Sequence, residues 1–288
     1  MINRSRHNKG KNSYSRNKSQ SDFASKKRTY TDKNYTPRKK KSFVYKDEEI
    51  PKDDRLNKYI ANTGYCSRRE ADAVIKSGVV TVNGEKVTEM GVRVKPTDVV
   101  LIDGKKAVSQ KKVYILLNKP KDCITTKKDP HGRKTVYHYI AGACKESVEA
   151  VGRLDRNTTG VLLFTNDGEL AHKLLHPKHE KMKIYHAFLN KPLQLSDYEK
   201  IIAGLEVDDE LVTVDELQYV SGDKQEVGIQ IHSGKYHIVK RIFEQVGYDV
   251  EKLDRVYFGG LTKKNVPRGK WRFLTEEEVS VLKQGAYE

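Results

Sequence analysis

The chain has 288 residues, a third of them charged, and a formal net charge of +16. That length suits roughly one to three domains. No run approaches the ~18 consecutive apolar residues that span a bilayer, so no membrane association is expected, and the polar, basic start lacks the apolar stretch of a secretory signal. Cys66, Cys123 and Cys144 are widely spaced, with no CxxC pair and no Cys/His cluster. This pattern predicts neither a disulfide framework nor a bound metal, and it fits the cytoplasm.

The charge is unevenly placed. Residues 1–46 carry 15 Lys/Arg against 2 Asp/Glu, so most of the excess sits at the start of the chain. Residues 1–52 have no periodic apolar pattern and read as a disordered basic tail. A cationic extension on a near-balanced body points to a polyanion, nucleic acid first. Tyr14, Tyr30 and Tyr35, set among lysines, suit stacking on unpaired bases.

Residues 53–106 read as a small domain. Leu56, Tyr59 and Ile60 have helical spacing, and Gly64 ends that helix. Ser67 is placed as an N-cap with Glu70 three residues on, the spacing of a capping box. Ala71, Val74 and Ile75 form the buried stripe of this second helix, which stops at Gly78. Val80, Val82 and Val87 surround Asn83-Gly84, a type I′ hairpin signal. A further strand follows a turn at Lys95–Asp98. Arg68 and Arg69 lie in a first helical turn, beside backbone N–H groups that favour phosphate. The stretch RLNKYIANTGYCSRREADAVIKSGVVTVNG resembles the S4-type RNA-binding domain. That resemblance implies that Arg55, Lys58, Arg68 and Arg69 face RNA phosphates.

A basic linker, residues 107–112, leads to a larger unit at 113–283. Its pattern is α+β. VYILLNKP is a strand ending at a proline turn, and residues 125–136 form a polar loop. VLLFTN is a short buried strand, and GELAHKLLHP is a helix with Asp167 as a turn residue or N-cap. In KMKIYHAFL, Met182, Ile184, His186 and Phe188 alternate with Lys183, Tyr185 and Ala187, which places Tyr185 opposite the more apolar set. LSDYEKIIAGL is a helix and Val227–Ile231 another alternating strand. In KYHIVKRIFEQVG, Ile238, Ile242 and Val246 share one helical face, with His237, Lys240 and Arg241 on or near the other.

The segment VGRLDRNTTGVLLFTNDG, from Val151 to Gly168, sets Asp155 beside basic residues. Several chemistries fail against it. Asn166 stands where a calcium loop needs a bidentate glutamate. There is no phosphate-cradling GxxxxGK[ST] or GxGxxG, and no GxSxG elbow. A glycosidase pair would need Asp167, which is better explained as a cap.

GRLDRNTTGVLLFTNDG resembles the active-site motif of RNA pseudouridine synthases, specifically the ribosomal type that joins an S4 domain to a catalytic domain. LLNKP, the DPHGRKTV loop, KIY at 183–185, GKYHIVKRIFEQVGYDV and LDRVYFGGLTKKNVPRGKWRFLT match in order. The resemblance implies an S4-like αα-β domain followed by a catalytic domain on a mixed, largely antiparallel sheet. It implies conversion of a ribosomal RNA uridine to pseudouridine, on free rRNA or a pre-ribosomal particle, by a protein that is a monomer apart from RNA. An isomerisation transfers no external group, so no cofactor is expected. By the same resemblance Asp155 is the catalytic aspartate, Lys240 its counter-charge, and Tyr185 the residue stacked against the flipped base. Arg153, His237 and Arg241 fall to RNA contact. Ile238 stands where relatives carry glutamine, removing one polar contact. Val151, Leu162, Leu163 and Trp271 read as scaffold.

Overall fold

The computed structural model describes residues 53–285, so the tail expected at 1–52 lies outside the described residues. The first elements are β1 (Asp54–Arg55), α1 (Leu56–Asn62), α2 (Arg68–Lys76), β2 (Val80–Val82), β3 (Glu85–Lys86), β4 (Arg93–Val94), β5 (Val100–Ile102) and β6 (Lys105–Lys106). The capping box forms as the spacing predicts: Glu70 N donates to Ser67 Oγ at 3.3 Å and Ser67 N to the Glu70 carboxylate at 2.8 Å. Asn83 and Gly84 both take positive φ, 54° and 89°, the conformation a type I′ turn demands. Strands run in the order β3-β2-β5-β6. Leu56, Ile60, Ala71, Ile75, Val80, Val100 and Ile102 form the core between helices and sheet, while Val74 is only half-buried.

The stretch that follows is pinned at Gln110. Its N–H donates to Asn62 O at 2.9 Å, and its side-chain oxygen accepts from Ser147 N at 3.1 Å.

The larger part contains β7 (Tyr114–Lys119), β8 (Glu149–Ala150), β9 (Thr159–Thr165), α3 (Gly168–Leu175), β10 (Lys183–Leu189), α4 (Leu195–Ala203), β11 (Leu205–Val207), β12 (Glu210–Val212), β13 (Glu216–Tyr219), β14 (Glu226–Ile231), α5 (Ile238–Gln245), β15 (Val250–Phe258), β16 (Leu261–Thr262), β17 (Trp271–Phe273) and α6 (Glu276–Gln284). Among the described residues these build a nine-stranded sheet ordered β13-β14-β10-β15-β9-β7-β17, with β16 on β15 and β8 on β9. Every pairing in it is antiparallel except β15 with β9. The α+β class and the mixed, largely antiparallel sheet match the expectation.

β7 and β9 are buried along their whole lengths because both faces are covered. Ile115, Leu117, Leu162 and Phe164 join a core that includes Ile242 and Phe243 of α5. Tyr114, Leu116, Val161 and Leu163 join a second core with Leu170 of α3 and Leu282 of α6. At the parallel seam Gly160 adopts φ +110°, and a Cβ there would lie 2.1 Å from Arg255 O. Only glycine lets the two backbones meet so closely.

β10 alternates as its pattern predicts. Tyr185 lies on the buried side of β10, together with Ala187 and Leu189, while Ile184, His186 and Phe188 are half-exposed. The outer set has its own partners. His186 pairs with Glu226 at 3.0 Å, and Lys252 Nζ sits 4.7 Å from the Phe188 ring centre. Trp271 packs half-buried against the first core, as its scaffold reading requires.

Candidate active site

Asp155 sits in the turn that feeds β9, and that turn is held from several sides. Thr125 Oγ1 donates to Leu154 O at 2.9 Å and accepts from Leu154 N at 3.3 Å. Thr158 N closes the turn on Asp155 O at 3.2 Å. Beneath it lies Lys119, fully buried at the end of β7. Its ammonium donates to four carbonyls: Pro120 O (3.1 Å), Asp155 O (2.9 Å), Arg156 O (3.1 Å) and Thr158 O (2.8 Å). Burial lowers the Lys119 pKa, against smaller raising contributions from Cys123 and the Asp155 charge. The sequence reading missed Lys119. Its signal was a lone cation closing an otherwise apolar run.

The Asp155 carboxylate is 27% exposed, open to a ligand yet not loose. Lys240 Nζ stands 3.1 Å from Oδ2, and His237 Nε2 3.0 Å from Oδ1. Thr158 Oγ1 donates to Oδ2 at 3.2 Å. The predicted Asp155–Lys240 pairing is therefore present, and His237, assigned to RNA contact, is brought to the carboxylate as well. The three-residue spacing of His237 and Lys240 makes this possible. His237 has φ 50° just before α5 begins, and one turn later Lys240 reaches the same group.

Asp155, Arg153, Tyr185, His237, Ile238 and Arg255 all line one cavity of about 310 Å³. Arg153 is exposed at its rim. Tyr185 is nearly buried, and Ile238 supplies an apolar wall in place of a polar contact. Arg255, also missed by the sequence reading, is 3% exposed, and its Nε and an Nη both donate to Val161 O at 2.9 and 2.8 Å. Lys183 lines the same cavity, donating to Lys181 O at 2.9 Å and His232 O at 2.7 Å. Burial, seconded by the Arg255 charge and opposed by Asp215, lowers its pKa to about 8.

The remaining predicted residues are elsewhere. Arg241 turns to Asp208 on the β11–β12 hairpin and donates to Tyr236 O at 3.4 Å. Arg55, Arg68 and Arg69 are exposed around α1 and α2. Lys58 is engaged by Asp54 at 2.7 Å and by Glu169 of α3. Among the described residues no group of three or more His, Cys, Asp or Glu is arranged to hold a metal ion.

A cavity with one carboxylate, flanked by a lysine and a histidine and lined by an aromatic ring, suits a flipped pyrimidine nucleotide. Comparison with known proteins agrees. Residues 113–245 match the family profile of RNA pseudouridylate synthase, and residues 54–100 that of the S4 domain. The chain is 39% identical to an uncharacterized RNA pseudouridine synthase of Aquifex aeolicus over 79% of this chain and 93% of that one. It is 37% identical to ribosomal large subunit pseudouridine synthase B of Bacillus subtilis, covering 80% and 96%. It is 34% identical to ribosomal small subunit pseudouridine synthase A of Vibrio vulnificus, covering 78% and 97%. A crystal structure of a pseudouridylate synthase superposes with a TM-score of 0.57 at 29% identity, over 79% of this chain and 99% of that one. With an S4 domain ahead of that catalytic fold, the chain belongs to the RNA pseudouridine synthase family.

Proposed function

We propose that this protein isomerises a uridine of ribosomal RNA to pseudouridine, with Asp155 acting on the ribose. The observation that carries the reading is the cavity in which Asp155 meets Lys240 and His237 beside Tyr185. The reaction breaks the C1′–N1 bond, turns the uracil within the cavity and joins C1′ to C5. The C5 proton is then lost and N1 gains one. The carboxylate either adds to C1′ or removes the C2′ proton to give a glycal-type intermediate. Both routes need the carboxylate held towards the ribose, and Lys240 and Thr158 both engage its Oδ2. Tyr185 lies along the cavity wall, in position to stack on the base and to assist proton movement at C5. Arg153, exposed on the cavity lining, meets RNA where the base has left the stack. The S4-like part supplies phosphate contacts through Arg55, Arg68 and Arg69. Lys58 adds to these once it exchanges its carboxylate partners for phosphate. The enzyme works as a monomer on rRNA or an assembling particle in the cytoplasm.

The test maps pseudouridines in rRNA from cells with and without the gene, and with Asp155→Asn. One defined site should disappear in both mutants, while the purified variant keeps its RNA affinity. Free uracil in place of an isomerised nucleotide would make it a glycosylase. An unchanged map would overturn the reading.

A further inference from the structure

A second cavity of about 500 Å³ adjoins the first, and the two share Leu175, Lys183, Ser233, Gly234 and Lys235 in their walls. Nothing in the chemistry at Asp155 uses it. Its composition is unlike a packing defect. Leu175 at the end of α3 and Leu211 on β12 are apolar yet 49% and 72% exposed, and both face this space. Between them the lining is polar. Asp215 Oδ2 accepts from His232 Nδ1 at 2.9 Å, each side chain about a third exposed. Lys183 stands at the boundary with its ammonium fixed by two carbonyls, and Lys235 is paired with Glu210, whose side chain is 62% exposed.

We propose that this second cavity is a subsite for the nucleotide adjacent to the target uridine, a proposal that rests on the RNA-modifying reading above. A chain entering the first cavity must continue along the shared wall, where the backbone phosphate meets Lys183 and Lys235. Exposed ion pairs such as Lys235–Glu210 contribute little, roughly 0–1 kcal/mol, so phosphate displaces the carboxylate readily. Phosphate at Lys183 also favours the charged form that burial disfavours there. The flat base of the neighbour lies against Leu175 and Leu211, with its polar edge towards the Asp215–His232 pair. This second grip supplies binding energy away from the reacting atoms, as extruding a stacked nucleotide requires.

The probe is the single-stranded heptamer A3UA3, with forms made abasic at the nucleotide before or after the uridine. Affinity is measured by fluorescence anisotropy with the full chain, so the readout does not depend on turnover. Removing the base on one side should weaken binding about tenfold. Leu211→Gln should weaken the parent heptamer by a similar factor but leave that abasic form unaffected, and Leu211→Met should restore binding. Leu211 is largely exposed, so neither variant threatens folding. Equal losses on parent and abasic RNA, or no loss at either position, overturn the subsite. An unchanged pseudouridine map with this coupling intact would instead sink the catalytic reading and keep the subsite.

Discussion

The buried ammonium of Lys119 donates to the backbone carbonyl of Asp155 at 2.9 Å, so one cation fixes the peptide while another, Lys240, meets the carboxylate. Lys119 also holds Pro120 O, Arg156 O and Thr158 O. Lys119→Met would leave four carbonyls aimed at a methyl group. We expect a stability loss of roughly 2–4 kcal/mol in urea denaturation. The surviving folded fraction should show a lower kcat with little change in KM, because the turn loses its seat. A variant as stable as wild type would show that water replaces the ammonium without cost.

Gly160→Ala tests the seam. The added Cβ would meet Arg255 O at 2.1 Å, Asp254 Oδ1 at 2.6 Å and Arg255 N at 2.7 Å, two of the three being backbone atoms that cannot rotate away. The φ of +110° adds strain. The expected loss is about 3 kcal/mol or more, seen as a large fall in Tm or as insoluble protein.

Lys240 and His237 are separable. Lys240→Met removes the fixed charge at Oδ2, and the expected fall in kcat is about 100-fold or more. His237→Gln keeps a polar group near Oδ1 and should cost about tenfold in kcat. RNA affinity should move little in either case. Equal effects on binding and turnover would place these residues in RNA contact instead.

Lys183 gives a pH prediction with a definite sign. Its pKa in the fold is about 8, below its ordinary 10.5. Between these values the unfolded chain binds the proton more tightly than the folded one. Folding is therefore penalised below pH 8, and the penalty is relieved as pH rises from 8 towards 10.5. Lys183→Met should remove this component, so its stability advantage over wild type shrinks across that window. Urea titrations at pH 7, 8, 9 and 10 measure it.

RNA binding should weaken steeply with salt, since Arg55, Arg68 and Arg69 are exposed and are proposed to neutralise phosphate. Replacing Arg68 and Arg69 together by glutamine should reduce the slope of log K against log salt by about 2. An unchanged slope would remove the start of α2 from the interface.

Local signals were the most legible. Ser67 with Glu70, and Asn83 with Gly84, each specify their structure within four residues, and both form as expected. Asp155 and Lys240 could be paired through the family resemblance of their two motifs. The rest depended on contacts distant in sequence. Nothing near Lys119 announces that four carbonyls from residues 120–158 will surround it. Arg255 reads as one more charge in an alternating strand until Val161 O is seen beneath it. Tyr185 was read opposite Ile184 and Phe188, as it stands, but that its side is the covered one depends on core residues distant in sequence.

The parallel seam has a mechanical consequence. Asp155 belongs to the strands on one side, β7 and β9, while Tyr185, His237 and Lys240 come from β10 and α5 on the other. The register across the seam, Thr159 opposite Asp254 and Gly160 opposite Arg255, is a short splice of two residues. Sliding one half past the other by a single step would tear the carboxylate from its cations. The enzyme's competence is thus a property of alignment, set by how closely two backbones are allowed to touch.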